Sequence, residues 1–509
     1  MKVLLVPDFR MRDFVLLFVN GCRHEIRGDA AFLPLSDYVR CHCRLTGTKI
    51  VCSEGDCGAC AVLLGTPALN ADRVDYRPIT SCIAMVFQLD GAHIITVEGL
   101  AKATRSADHM HPVQHAMVAC NGAQCGFCTP GFVVSLAGMC EKTASKAAIP
   151  EGSLRLGLTG NLCRCTGYEQ ILDAARSINR ADLLPLNEVY PPAEMLPAMR
   201  DASATPFQIQ TPNKLLYKPT DIPSACKFKQ QNPGCTIIAG GTDIGVLINK
   251  GKIDPTVLMS VGGLKDSAGI EETDTHLTVG MLATLASFEA AIQTAIPELH
   301  QIMIRHGSPL IRNAGTLAGN IVNGSPIGDT MPALMVLNAE VELTGLSGSR
   351  RVSMNAFYTG YRKNVLAPDE LLTRIIIPKP KQDEILRLYK VSKRWDLDIS
   401  TFTAAFLLGI KKSAPTNGNG NGHDNLIIAE ARVAYGGVGP VILRLPKTEA
   451  FLQNKSLSEE LMIESGEIAC QEIVPISDVR SSGEYRSQLA QNIPLKLFYE
   501  LGTSADSVH

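Results

Sequence analysis

The stretch CSEGDCGAC, from Cys52 to Cys60, holds three cysteines spaced by four residues and then by two. A fourth, Cys82, lies further on in ITSCIAM. Cys52, Cys57, Cys60 and Cys82 thus offer four thiols from one tight loop and one distant segment. The spacing C-x4-C-x2-C…C is that of a [2Fe–2S] cluster, a small flat rhomb held by four thiolates. Gly55 and Gly58 would let the loop turn sharply and point amides at sulfur. Zinc or free thiols are the alternative. Zinc sites usually pair a C-x2-C with a second C-x2-C or an H-x3-H, and neither comes after Cys60.

A second set lies in QCGFCTPG (124–131) and GNLCRCTGY (160–168). Cys125 and Cys128 form C-x2-C at a helix start; Cys163 and Cys165 form C-x-C. Spacing alone leaves zinc and iron open here. The neighbouring cluster loop favours a second iron–sulfur site. Cys41 and Cys43, in the CHC of the preceding helix, read as ordinary thiols, because four ligands are already at hand. Cys22, Cys120, Cys140, Cys226, Cys235 and Cys470 carry no ligand pattern.

The chain around these thiols has 509 residues, enough for about three or four domains. Hydrophobic residues make up 45% and charged residues 19%, the mark of globular cores. A net charge of −2 gives no global attraction to nucleic acid or to an anionic membrane. No apolar run reaches the roughly 18 residues a membrane span needs, and the N-terminus lacks a signal-peptide core. A cytoplasmic protein is expected, with Met11 a candidate start. Of the 16 cysteines, 13 precede residue 166. Crowded cysteines in a reducing compartment point to metal rather than to disulfides.

FVLLFVNGCRHEI (14–26) predicts a hairpin around Asn20-Gly21. LPLSDYVRCH predicts a short helix and AHIITVEGL a strand that ends a small α+β domain. HPVQHAMVACNG, TPGFVVSLAGMCEKT and EQILDAARSINRA predict helices, the second opened by Thr129 and Pro130. LLPLNEVYPPAEMLPAM is proline-rich and reads as a linker. Short strands and glycine-rich turns come next, then a last α+β unit with the low-complexity stretch TNGNGNGH, read as a flexible surface loop.

LTGTKIVCSEGDCGAC, GAQCGFCTPGFVVS and TGNLCRCTGYEQIL resemble the two-cluster region of the xanthine dehydrogenase, or molybdenum hydroxylase, family. IIAGGTDIG (237–245), IRNAGTLAGNIVNGSPIGD (311–329) and YKVSKRWDLDIS (389–400) are similar to that family's FAD domain. The resemblance runs from about residue 12 to 500. It implies an α+β multidomain chain: a β-grasp, plant-type ferredoxin domain (1–98), a helical [2Fe–2S] domain (99–185), a linker (186–206), an α+β FAD-binding domain of the molybdopterin dehydrogenase type (207–382) and a C-terminal α+β flavoprotein domain (383–509).

The resemblance also implies flavin contacts. Ile237, Ile238, Ala239, Gly240, Gly241, Thr242, Asp243 and Ile244 would wrap the pyrophosphate with backbone amides. Thr316, Leu317, Ala318, Gly319 and Asn320 would form a second phosphate-side loop. Asp329 would bond the adenosine half. Leu372 and Lys390 match flavin-side positions, and His306 stands where an aromatic is common. Ser53 departs from the family, which often has glycine there; serine fits unstrained only if its φ is negative. No G-x-G-x-x-G opens a βαβ unit, so NAD+ as acceptor is implied by the resemblance alone.

The implied activity is that of a small, electron-transferring subunit with no catalytic residue of its own. Its partner would be a large molybdopterin-binding subunit that oxidises hypoxanthine or xanthine, in a heterotetramer or larger. Rival readings are an aldehyde or N-heterocycle dehydrogenase with another electron acceptor, and a zinc-stabilised, non-redox assembly module.

Overall fold

The computed structural model describes residues 11–105, 109–142, 149–264, 267–412 and 426–505. The low-complexity stretch 416–423 lies outside the described residues. The chain forms two compact units. One comprises Met1–Asp266, Thr284–Ala286 and Gly307–Thr316; the other comprises Ser267–Ala283, Ser287–His306 and Leu317–His509.

The first unit opens with the expected hairpin. Strands β1 (Val15–Val19) and β2 (Cys22–Ile26) pair antiparallel. The turn residues Asn20 and Gly21 take φ of 49° and 86°, the double positive φ that such a turn requires. A short helix, α1 (Leu35–Asp37), continues as a π-turn over Tyr38–His42. Strands β3 (Ala61–Pro67), β4 (Val74–Thr80) and β5 (Ala92–Ile95) complete a five-stranded sheet in the order β2-β1-β5-β3-β4. The β1–β5 pair is parallel and the rest antiparallel.

Strand β1 reads VLLFV and is buried throughout. An apolar run without alternation belongs to a strand covered on both faces. Successive side chains point to opposite faces. Leu16 and Phe18 accordingly join one core, and Val15, Leu17 and Val19 join another. Strand β3 divides the same way, with Ala61 and Leu63 on the first face and Val62 and Leu64 on the second.

The first core is shared with helices α2 (Pro112–Ala119), α3 (Thr129–Lys142), α4 (Glu151–Gly157) and α5 (Glu169–Ser177). The stretch read as a linker is not extended. It holds a turn of helix, α6 (Leu186–Val189), and a 13-residue helix, α7 (Pro192–Ala204). Pro192 sits in the first turn, where its missing N–H costs nothing. Met195, Leu196, Met199 and Ala202 form a buried face in the first core. The prolines mask this helical spacing in the sequence.

The second core takes in a four-stranded sheet of β6 (Phe207–Gln210), β7 (Leu215–Lys218), β8 (Thr236–Ile238) and β9 (Val257–Ser260), in the order β6-β7-β9-β8. Helix α9 (Ile244–Asn249) packs against this core through Ile244 and Ile248, and α8 (Ile222–Gln231) meets β7 where the Phe228 ring lies 4.8 Å from that of Tyr217. One buried ion cluster ties this sheet to the rest of the unit. Asp90, 2% exposed, receives Lys218 at 2.6 Å and Arg12 at 2.7 Å. Both cations also donate to the carbonyl of Ala202 at the end of α7.

The second unit has two antiparallel sheets. One runs β10-β11-β16-β12-β13, from β10 (Ile270–Glu272), β11 (His276–Gly280), β12 (Glu340–Gly345), β13 (Gly348–Ser353) and β16 (Leu371–Pro378); the hairpin β14 (Tyr358–Gly360) and β15 (Lys363–Asn364) stands apart. The other joins β17 (Glu384–Val391), β18 (Phe402–Lys412), β19 (Leu426–Gly436), β20 (Leu443–Arg444) and β21 (Lys455–Ser456). Helices Glu459–Gln471 and Gly483–Ala505 pack on this second sheet through Phe406, Tyr435, Met462 and Leu497. Among the described residues no helix is long and apolar enough to cross a membrane.

Candidate functional site

The loop between α1 and β3 brings Cys52, Cys57 and Cys60 together with Cys82, just past the end of β4. Gly55 and Gly58 adopt φ of 82° and 67°, as the tight loop requires. Cys60 and Cys82 are buried; Cys52 and Cys57 are half-buried. The sulfurs touch one another. Hydrogen bonds from Cys57 and Cys82 hold the Cys52 thiol far below its usual range. The same bonds to Cys52, with burial, push Cys57 and Cys82 far above it. Cys60 is lowered by its bond from Cys82. Amides also face the sulfurs: Glu54 N–H donates to Cys52 Sγ at 3.4 Å.

The second set assembles in the same unit. Cys125 and Cys165, both exposed, lie with their sulfurs 3.7 Å apart. Cys128, at the start of α3, bonds Cys163. Burial pushes Cys128 up to about 12. Burial opposes ionisation of Cys163, but Thr166 outweighs it, donating to that sulfur from its hydroxyl at 3.2 Å and its amide at 3.5 Å. Tyr168, at φ 74°, turns its hydroxyl to accept from Cys163 N–H at 3.0 Å.

Thiols that share protons in this way cannot all ionise side by side. A cationic centre lets four thiolates coexist, and inward amides stabilise its sulfurs. Both quartets fit a [2Fe–2S] cluster on this ground. Among the described residues no three Cys, His, Asp or Glu side chains converge on a point fit for a single metal ion. A two-iron rhomb shares four thiolates between two metals and needs no such point. Cys43 stands apart, its thiol pushed up to about 11 by burial.

The two quartets are built into each other. Leu162 N–H donates to the carbonyl of Cys57 at 3.0 Å. Asn161 Nδ2 donates to the carbonyl of Gly58 at 3.4 Å. A Cβ at Gly131, in the first turn of α3, would overlap the Gly58 carbonyl, and one at Gly58 would overlap that of Gly160. Glycine is required on both sides for the loops to approach this closely.

The first unit also holds part of the expected flavin site. Ile237 and Ile238 end β8, Ala239–Asp243 form a loop and Ile244 starts α9. Gly241 takes φ 70°. A Cβ at Gly240 would overlap the Ala314 carbonyl, and one at Gly315 would crowd Thr242. The loop therefore lies against the segment that leads to Thr316. Gln88 Nε2 donates to the Ala239 carbonyl at 3.2 Å.

The second unit holds the remainder. Leu317–Asn320 open the helix Leu317–Asn323. Asn320 accepts from Thr330 at 2.8 Å. Leu372 is buried on β16 opposite Leu343. Asp329 is the centre of a buried cluster: Lys390 Nζ reaches it at 2.6 Å, His306 Nδ1 at 2.8 Å and Ser400 Oγ at 2.6 Å. Burial raises its carboxyl, but the His306 bond and the Lys390 charge outweigh that and hold it well below the usual range. Its oxygens are thus engaged by three side chains of this chain. Ser400 ends the motif YKVSKRWDLDIS, and nothing in that motif signals its bond to Asp329. Ser53 has φ 56°, so the departure from glycine is strained.

Comparison with known proteins gives three matches along the chain. Residues 207–380 match the FAD binding domain in molybdopterin dehydrogenase, residues 96–176 the [2Fe-2S] binding domain, and residues 387–501 the CO dehydrogenase flavoprotein C-terminal domain. The three matched domains follow one another along the chain, [2Fe–2S] first, then FAD-binding, then flavoprotein C-terminal. Proteins similar to it include xanthine dehydrogenase 1 of Arabidopsis thaliana, 26% identical over 95% of this chain, and xanthine dehydrogenase of Oryza sativa, 28% identical over 95%. The chain spans 39% of the length of each. Among solved structures, quinoline 2-oxidoreductase from Pseudomonas putida 86 superposes with a TM-score of 0.51 at 22% identity, covering 58% of this chain and 99% of that one. Carbon monoxide dehydrogenase from Hydrogenophaga pseudoflava gives 0.51 at 21%, covering 57% and 96%. These likenesses establish the shared fold.

Proposed function

We propose that this chain is the iron–sulfur and FAD electron-transfer subunit of a xanthine dehydrogenase. Cys52, Cys57, Cys60 and Cys82 would hold one [2Fe–2S] cluster. Cys125, Cys128, Cys163 and Cys165 would hold the other. Ile237–Ile244, Thr316–Asn320, His306, Asp329, Leu372 and Lys390 would hold FAD. Bound there, these groups supply one- and two-electron redox chemistry between a purine-oxidising molybdopterin subunit and NAD+. The observation that carries the reading is the direct packing of the two quartets through Cys57 and Leu162.

The residues of this chain position and insulate. Gly58 and Gly131 allow close approach of the two thiol sets. The amides and Thr166 stabilise thiolate charge. Asp329 holds Lys390 and His306 in fixed directions. The partner would dock on the helical part, where Cys125 and Cys165 are exposed and Val118, Phe127 and Leu162 present apolar surface. The assembly would be a cytoplasmic heterotetramer or larger.

Metal analysis of the anaerobically purified chain tests the reading: about four iron and four sulfide per chain are expected. Stoichiometric zinc with little iron would favour the assembly-module alternative. Reconstitution with the molybdenum-bearing partner, assayed on hypoxanthine, an aldehyde and an N-heterocycle, decides the substrate.

A further inference from the structure

Ser53 is a non-glycine residue in the left-handed region, one position after the first thiol ligand. Such a conformation is strained and persists only where the surroundings hold it. The residue that holds it lies far away in sequence. Asn249, the last residue of α9, donates from Nδ2 to the Ser53 carbonyl at 3.0 Å and to the Cys82 carbonyl at 2.8 Å. An amide nitrogen has two hydrogens, and both partners are carbonyls, so the orientation of this side chain is fixed by chemistry. Lys250, the next residue, pairs with Glu54 at 2.8 Å. Gly251, at φ 62°, ends the helix and sends its N–H to the Ile248 carbonyl. The sequence Asn249-Lys250-Gly251 thus caps α9 and presents two groups to the cysteine loop at once.

The same helix starts at the proposed phosphate loop. Gly245, in its first turn, lies against the Ile83 carbonyl, next to Cys82, closely enough that a Cβ would overlap it. Val246 packs against Cys60, Cys82 and Ile83. We propose that Asn249 is a positioning residue: it joins the helix behind the flavin phosphate loop to both thiol-bearing segments of the ferredoxin-type set, and it stabilises the left-handed Ser53. The inference rests on the cluster assignment above. The structural alternative is a contact that only glues two sheets together.

The two roles differ in what they move. Asn249→Ala removes both hydrogen bonds. The EPR signal of the ferredoxin-type cluster is then expected to decay about tenfold faster under a chelator, while the signal of the helical-set cluster keeps its wild-type lifetime. Ser53→Gly removes the strain, because glycine takes positive φ freely. The double variant Ser53→Gly/Asn249→Ala is therefore expected to return to within about twofold of wild type. Unchanged decay in Asn249→Ala, equal loss of both signals, or failure of Ser53→Gly to rescue would each overturn the proposal. If the wild-type chain binds no iron, the cluster reading itself falls. Hydrogen exchange over residues 51–57 of the metal-free chain then decides: faster exchange in Asn249→Ala supports the tie, and unchanged exchange removes it.

Discussion

Cys57 works from both ends. Its sulfur meets Cys52, and its carbonyl receives Leu162, the residue before Cys163. Losing one sulfur should be local nonetheless. Cys57→Ser is expected to abolish one [2Fe–2S] EPR signal and leave the other; Cys163→Ser should do the converse; Cys41→Ser and Cys43→Ser should spare both. EPR on each purified variant checks this. Acid should be felt elsewhere. His93 is buried, its ring nitrogens meeting Gly21 N–H at 3.0 Å and the Tyr76 hydroxyl at 2.8 Å. Burial lowers it to about 3, and His111 to about 4. Unfolded histidines titrate near 6.5, so between these values the unfolded chain binds more protons. The stability from these two residues is whole above about pH 6.5 and falls as pH drops toward 3–4. Each histidine then costs up to about 1.4 kcal/mol per pH unit. Denaturant melts at pH 7.5 and 5 measure the difference, and His93→Gln should shrink it to the share of His111.

At the scale of elements, spacing made the cysteine loops and the Asn20-Gly21 hairpin legible, because few backbone shapes satisfy either. The helix α7 was hidden by its prolines, and Asn249 by distance: nothing in INKGK announces contacts with Ser53 and Cys82. The cluster around Asp329 was half legible, since resemblance marked Asp329, Lys390 and His306 but not their mutual pairing or Ser400. Two predictions belong here. Gly241 sits at positive φ in the proposed phosphate loop, with Gln88 where a side chain would go. Gly241→Val should lower FAD content severalfold, read from the flavin band, while iron content stays at the wild-type level. Asp90 is a buried anion between Arg12 and Lys218. Asp90→Ala strands two buried cations and should destabilise the first unit by about 3–5 kcal/mol, read from the urea midpoint. Adding Lys218→Met should recover part of that loss.

For the whole molecule, the proposed function expects activity to divide between this chain and a molybdenum-bearing partner. Alone, it is expected to reduce an artificial dye with NADH and to leave hypoxanthine and xanthine untouched. With the molybdenum-bearing subunit, purine-dependent NAD+ reduction should appear. Anaerobic NADH titration of the isolated chain separates the acceptor from the cofactors: if dithionite bleaches the flavin band and NADH does not, NAD+ is not the acceptor. The sheet of the first unit bears on how such a chain can be divided at all. Leu16 and Phe18 face one core, Val15, Leu17 and Val19 the other, and that second core is closed by Phe207, Ile209, Leu216, Ile238 and Leu258. A fragment ending at residue 206 would keep the cover that Leu35, Val39, Val86 and Phe87 give the second core but would expose the part those five residues close, a greasy surface prone to clumping. The ferredoxin-like portion is therefore not cleanly detachable here. It shares a wall with the β6–β9 sheet, and a gene cut at its apparent boundary would leave each piece without part of its lining.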